Sequence, residues 1–174
     1  MVILETKRLL FRLFEPDDLG DLFELYRDPQ MRRYFPDGTL SYTETQEELE
    51  WYLHGHPQHS ELGLWATILR DTGQFIGRCG LLPWEIDGAQ EIEIAYMIDK
   101  SLWGQGLGTD AAQGIRDYAF EQLGQTRLVC LIDEDNQASI RVAQKIGMAF
   151  EKESRDELGP FHLYTINLDI RRDQ

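Results

Sequence analysis

Residues Glu91–Thr109 read EIEIAYMIDKSLWGQGLGT, and the change of period inside this stretch decides the fold. From Glu91 to Ile98 the pattern has the period of a β-strand: Ile92, Ile94, Tyr96 and Ile98 fall on one face, Glu91, Glu93, Ala95 and Met97 on the other. Gly104, Gly106 and Gly108 then alternate through a loop, and Asp110–Leu123 carries Ala112, Ile115, Ala119 and Leu123 at helical spacing. A strand, a glycine loop and a helix start gather unpaired backbone N–H groups and the positive end of a helix dipole around one point, which suits a phosphate. The same loop also reads as a turn that merely needs tight geometry. The spacing is not Gly-x-Gly-x-x-Gly and no Gly-Lys-Ser/Thr follows, which disfavours dinucleotide and Walker-type sites.

Working outward, Leu64–Arg70 and Gln74–Leu82 flank Asp71-Thr72-Gly73 as a β-hairpin, and Lys7–Leu13 reads as a first strand. Pro16-Asp17-Asp18 starts a helix with Leu19, Leu22, Phe23 and Tyr26 on its apolar face. Ser41 and Thr43, each followed three residues later by Glu44 and Gln46, predict a second helix through Trp51, with His54–His59 as the loop behind it. Downstream, Arg127–Ile132 is an apolar strand and Asn136–Ile146 a helix that ends at Gly147. Phe150–Ser154 and His162–Ile170 close as two strands around Leu158-Gly159-Pro160. The order β-α-α-β-β-β-α-β-α-β-β implies helices packed on a mixed sheet, an α/β or α+β sandwich rather than a doubly wound parallel sheet.

The 174 residues suit one domain, residues 1–174, and their charges sum to 17 − 31 = −14. The acids are spread along the chain, 12 against 6 basic residues in positions 1–60 and 19 against 11 in positions 61–174. Such a balance excludes a phosphate-neutralising face for nucleic acid and favours cationic partners. Cys79 and Cys130 match no zinc or redox spacing, so reduced, buried thiols and a cytoplasmic location are expected. Neither a signal-peptide core at Met1–Leu10 nor an apolar stretch of membrane-spanning length is present in the sequence. His54, His56 and His59 read as residues of a polar loop; no metal is expected.

Taken together and in order, Leu4-Glu5-Thr6-Lys7-Arg8-Leu9, Trp103-Gly104-Gln105-Gly106 and Asn136-x-x-Ser139 resemble the GNAT superfamily of acetyl-CoA-dependent N-acetyltransferases, and within it the ribosomal-protein alanine N-acetyltransferase type. The resemblance covers nearly the whole chain. It implies a mixed, mostly antiparallel sheet that splays at the cofactor cleft and is flanked by helices. It places the pantetheine arm of acetyl-CoA on the backbone of Tyr96, Met97 and Ile98, and the pyrophosphate on the amides of Gln105, Gly106, Leu107, Gly108 and Thr109. Asn136 and Ser139 match positions near the pantetheine and the thioester sulfur. Where many members carry a tyrosine that protonates the leaving thiolate, this chain has Ala143, so Ser139, directly or through a water, is the nearest replacement.

Direct acetyl transfer needs a neutral amine, a proton acceptor and a polarised carbonyl. Glu93 is the candidate base, matching a glutamate common in this subfamily, against the plainer reading of a solvated strand residue like Glu91 on the same face. A backbone N–H near Met97 supplies the polarising donor. Tyr34, Phe35, Trp51, Trp84 and Phe161 are candidates for the acceptor wall, although large aromatics also serve as packing residues. The expected acceptor is a protein N-terminal amine, with a small cationic amine (a polyamine, an amino acid or an aminoglycoside) as the alternative. A non-catalytic acyl-CoA sensor is the reading from a different class. Either a monomer or a homodimer is compatible.

Overall fold

The computed structural model describes residues 1–54, 56 and 59–168. Eight strands form one sheet in the order β1-β2-β3-β4-β5-β6-β8-β7. The strands are β1 (Val2–Glu5), β2 (Leu9–Arg12), β3 (Gly63–Leu69), β4 (Phe75–Ile86), β5 (Ala89–Ile98), β6 (Arg127–Ile132), β7 (Ala149–Asp156) and β8 (Gly159–Asn167). The helices are α1 (Leu19–Tyr26), α2 (Tyr42–Leu53), α3 (Leu107–Glu121) and α4 (Gln137–Lys145). Every neighbouring pair is antiparallel except β5 and β6, which run parallel and register at one pair, Glu93 opposite Val129. Beyond that rung the two strands part, and this is the expected splay.

Both faces of the central strands are covered, which is why β3 is buried along nearly its whole length. One face, with Trp65, Ile76, Leu81, Ile94 and Ile98, packs on Leu107, Ala111, Ala112, Ile115 and Ala119 of α3 and Ile140 and Ala143 of α4. Alanines at these positions let α3 lie close to β5. The opposite face, with Leu64, Ala66, Ile68 and Met97, packs on Leu22, Leu25 and Tyr26 of α1 and Leu49 and Tyr52 of α2. Ile86 at the end of β4 and, past β5, Val129, Phe161 and Leu163 form a further cluster on the same face that no helix residue joins among the described residues.

Several boundaries differ from the sequence reading, each for a local reason. A separate strand β1 precedes the expected first one, because Thr6 Oγ1 accepts from Leu9 N at 3.0 Å and turns the chain back on itself. Pro16–Asp18 is a single 3-10 turn, and Leu25 rather than Phe23 completes the buried face of α1; Phe23 meets Tyr42 edge-on instead. The capping box at Ser41 and Glu44 forms as expected. Strands β4 and β5 are longer than their apolar runs suggest because Asp87 and Gly88, with φ of 50° and 80°, close a tight hairpin between Ile86 and Ala89. The last hairpin turns at Glu157-Leu158, not around Leu158-Gly159-Pro160, since Asp156 Oδ1 accepts from Leu158 N and Gly159 N. Strand β8 ends at Asn167, and Ile170 lies outside the described residues.

Candidate active site

The glycine stretch is a loop only as far as Gly106. Helix α3 begins at Leu107, three residues earlier than its apolar pattern indicates, so Leu107, Gly108 and Thr109 form the first helical turn. Gly106 is the N-cap in a left-handed conformation with φ of 74°, and Gly104 has φ of 78°. Both angles favour glycine. No side chain caps this helix, and a Cβ built on Gly104 would meet nothing within 4 Å. The first-turn amides of a fifteen-residue helix are thus left for an anion, with the helix dipole behind them.

The loop is held from outside by residues that its own sequence does not suggest. Arg8 donates from Nη1 to Gln105 O at 2.8 Å and from Nη2 to Gly106 O at 2.9 Å, while Trp103 Nε1 donates to Ile98 O at 2.8 Å. A cleft of about 530 Å³ beside the loop is lined by Lys7, Arg8, Leu69, Arg70, Asp71, Gln105 and Leu107. Cations therefore accompany the backbone amides on this side of an acidic chain. Arg8 and Arg70 belong to β-turns far from the loop in sequence, so only the sheet brings them there.

Within the splay, Tyr96 donates its hydroxyl to Ser139 O at 3.0 Å, and Cys130 Sγ lies 3.2 Å from Ile94 O. Burial pushes both side chains above their ordinary pKa, so both are neutral. Asn136 Oδ1 accepts from Ser139 N at 3.2 Å and caps α4. The Ser139 hydroxyl takes part in neither contact. Met97 and Ile98 are buried on opposite faces, which leaves their backbone as the part of β5 that borders the splay.

Glu93 sits where β5 and β6 part, on the sheet face that α1 and α2 cover further along, at Ala95 and Met97. Trp84 Nε1 donates to its Oε2 at 2.7 Å. Burial pushes the carboxyl up to about 7, while that bond, the Leu131 main-chain N–H and the charge of Arg78 pull the other way. A half-buried carboxyl that titrates near neutrality, at the edge of a cleft, has the properties of a general base. Glu91 on the same face is committed to Arg127, at 3.0 Å from Nε to Oε2.

The remaining aromatic candidates divide. Trp84, 39% exposed, touches Glu93, and Phe161 lies on the same sheet face but is buried in the Ile86, Val129 and Leu163 cluster, a floor more than a wall. Tyr34 donates to Asp135 O at 3.2 Å, joining the α1–α2 connection to the start of α4. Lys100 pairs with Asp28 at the other end of that connection, which consequently crosses the mouth between β5 and β6. Phe35 is enclosed by two buried arginines, Arg32 at 4.3 Å and Arg78 at 5.5 Å, and Trp51 packs edge-on against Tyr52 and His56. These two rings are used in packing.

Residues 8–149 match the family model described as Acetyltransferase (GNAT) domain. YkkB of Bacillus subtilis, an uncharacterized protein, is 35% identical over 92% of this chain and 93% of its own. YdaF of the same organism, which carries a provisional ribosomal N-acetyltransferase name, is 30% identical over 88% of this chain and 84% of its own. Among solved structures, RimL, a ribosomal L7/L12 α-N-protein acetyltransferase in complex with coenzyme A, superposes with a TM-score of 0.78 at 19% identity, over 97% of this chain and 99% of that one.

Proposed function

The chain belongs to the GNAT acetyltransferase family, and from that premise we propose that residues 1–174 form one cytoplasmic domain that moves acetyl from acetyl-CoA to a protein N-terminal amine. One observation carries the cofactor half of this reading: the uncapped first turn of α3, entered through two left-handed glycines, opens next to the parted strands β5 and β6. The residues fit the cofactor. Amides from Gln105 to Thr109 would hold the pyrophosphate, and the free edge of β5 from Tyr96 to Ile98 would hold the pantetheine arm.

Bound acetyl-CoA supplies an activated acyl carbon and a thiolate leaving group. Glu93 takes the proton that the acceptor nitrogen loses as its lone pair forms the new C–N bond and the C–S bond breaks. The β5 backbone N–H near Met97 stabilises the charge that develops on the carbonyl oxygen. Ser139, directly or through a water, would pass a proton to the departing sulfur and regain one from solvent, while Glu93 returns the amine proton to solvent. No covalent enzyme intermediate is required, so the buried, neutral Cys130 needs no part in the reaction.

A peptide acceptor is favoured because helices α1 and α2 cover the sheet only as far as β5. On the Glu93 side no helix residue among the described residues joins the cluster of Val129, Phe161 and Leu163, an arrangement we take to suit a chain terminus more than an enclosed small amine. The names of YdaF and RimL point the same way. Thiol release measured with acetyl-CoA and a panel of basic peptides, polyamines, amino acids and aminoglycosides tests the reading. The expected result is turnover with peptides above the rest. Preference for a polyamine or aminoglycoside overturns the acceptor class, and cofactor binding without thiol release for any amine overturns catalysis.

A further inference from the structure

Trp84 lies on β4 opposite Glu91 and diagonal to Glu93, on the same face of the sheet. A tryptophan that is 39% exposed contributes little to a core, yet its indole N–H is committed to a single acceptor, Glu93 Oε2 at 2.7 Å. Glu93 stands at the registered β5–β6 pair, opposite Val129, so its carboxylate lies where the two strands part. A glutamate has three rotatable bonds, and one free to leave the cleft acts as a base only in those conformers that face the acceptor.

We propose that Trp84 is a positioning residue of the acetyl transfer: its indole N–H fixes the Glu93 carboxylate at the point where β5 and β6 part, oriented toward the incoming amine. This rests on the reading of Glu93 as the base. The other charged and titratable groups around Glu93 are accounted for. Arg78 shares its face from β4, Tyr96 and Cys130 lie on the opposite face of the sheet and are neutral, and Glu91 is paired with Arg127. Arg78 is buried and spreads its charge over the Tyr26 and Phe35 rings, at 5.4 and 5.5 Å. Two donors touch the carboxylate itself, the Leu131 main-chain N–H and the indole N–H, and of the two the indole is the side chain.

The test compares pH profiles of kcat/KM, taken with the best acceptor of the panel, for the native chain, Trp84→Phe, and Trp84→benzothienylalanine, which keeps the bicyclic shape and lacks the N–H. In parallel, the Glu93 carboxyl is titrated by carbon NMR in the same proteins without substrate. Loss of the donor should raise the Glu93 midpoint, and with it the acid limb of the profile, by about one pH unit, because a hydrogen bond to a charged group favours the ionised form by roughly that much. KM should stay within about twofold. A uniform loss of rate at every pH, or an NMR midpoint unchanged in both variants, overturns the proposal. Glu93→Gln separates the two readings: if it retains full turnover across the pH range, the base assignment fails, whatever Trp84 does.

Discussion

The two sides of the cleft are built from different materials. On the cofactor side the working groups are main-chain amides, presented by Gly104, Gly106 and the first turn of α3, with Arg8 and Trp103 holding the loop through carbonyl oxygens. On the acceptor side they are side chains whose properties depend on neighbours: Glu93 raised to about 7 by burial and held by Trp84, and Tyr34 fastened to Asp135. Backbone geometry tolerates changes in side-chain identity but not in φ; a side-chain site behaves the opposite way. On the proposed reading an acidic chain holds a polyphosphate without a lysine-rich site, while its carboxylates serve a cationic acceptor.

The comparison can be broken at several points. The largest effect is expected for Glu93→Gln, which should lower kcat by about a hundredfold or more, the range of general-base contributions, and leave coenzyme A affinity by calorimetry within about twofold. In the native chain kcat/KM should rise with pH through about 7 as Glu93 ionises. Stability moves the other way. A carboxyl whose folded pKa is raised above its ordinary 4.5 favours the folded state below that value and loses this contribution as pH rises through about 7, so Glu93→Gln should flatten the decline in Tm over that window.

Next in size is Gly106→Val. A β-branched residue at φ of 74° costs about 1–3 kcal/mol, which would weaken coenzyme A binding by roughly tenfold to a hundredfold, with kcat at saturating cofactor little changed. Tyr34→Phe removes one hydrogen bond across the mouth, worth about 1 kcal/mol, and should raise the acceptor KM about fivefold without affecting cofactor affinity. Smallest is Gln105→Ala. Its side chain is absent from the contacts that hold the loop, which run through its carbonyl oxygen, so coenzyme A affinity should stay within about twofold. A large loss there would mean that side chains, not amides, do the binding.

Much of this architecture is legible in one dimension because it follows from local chemistry. The alternation of Glu91–Ile98 sorted Glu93 and Met97 from Ile94 and Ile98 correctly, and the two faces pack on different helix pairs. Ser41 with Glu44, and Asn136 with Ser139, are caps whose partners lie three residues away. The Asp87-Gly88 turn carried an equally local signal that the apolar runs around it obscured. Phe35 and Trp51 were less legible, since an aromatic residue in a connection has the same composition whether it lines a cleft or is stacked between arginines.

By itself the sequence determined the strand and helix periods, the glycine loop that needs left-handed backbone, and the acidic balance, since each depends on residues within a few positions of one another. Tertiary structure alone decided that Arg8 reaches Gln105 across 97 positions, that Tyr34 spans to Asp135 across 101, and that the last β5–β6 rung falls at Glu93. It also decided that Glu93 titrates near 7 beside Trp84. Burial and its electrostatic consequences depend on which surfaces meet, and that is set by sheet order and packing, which no short stretch of chain contains.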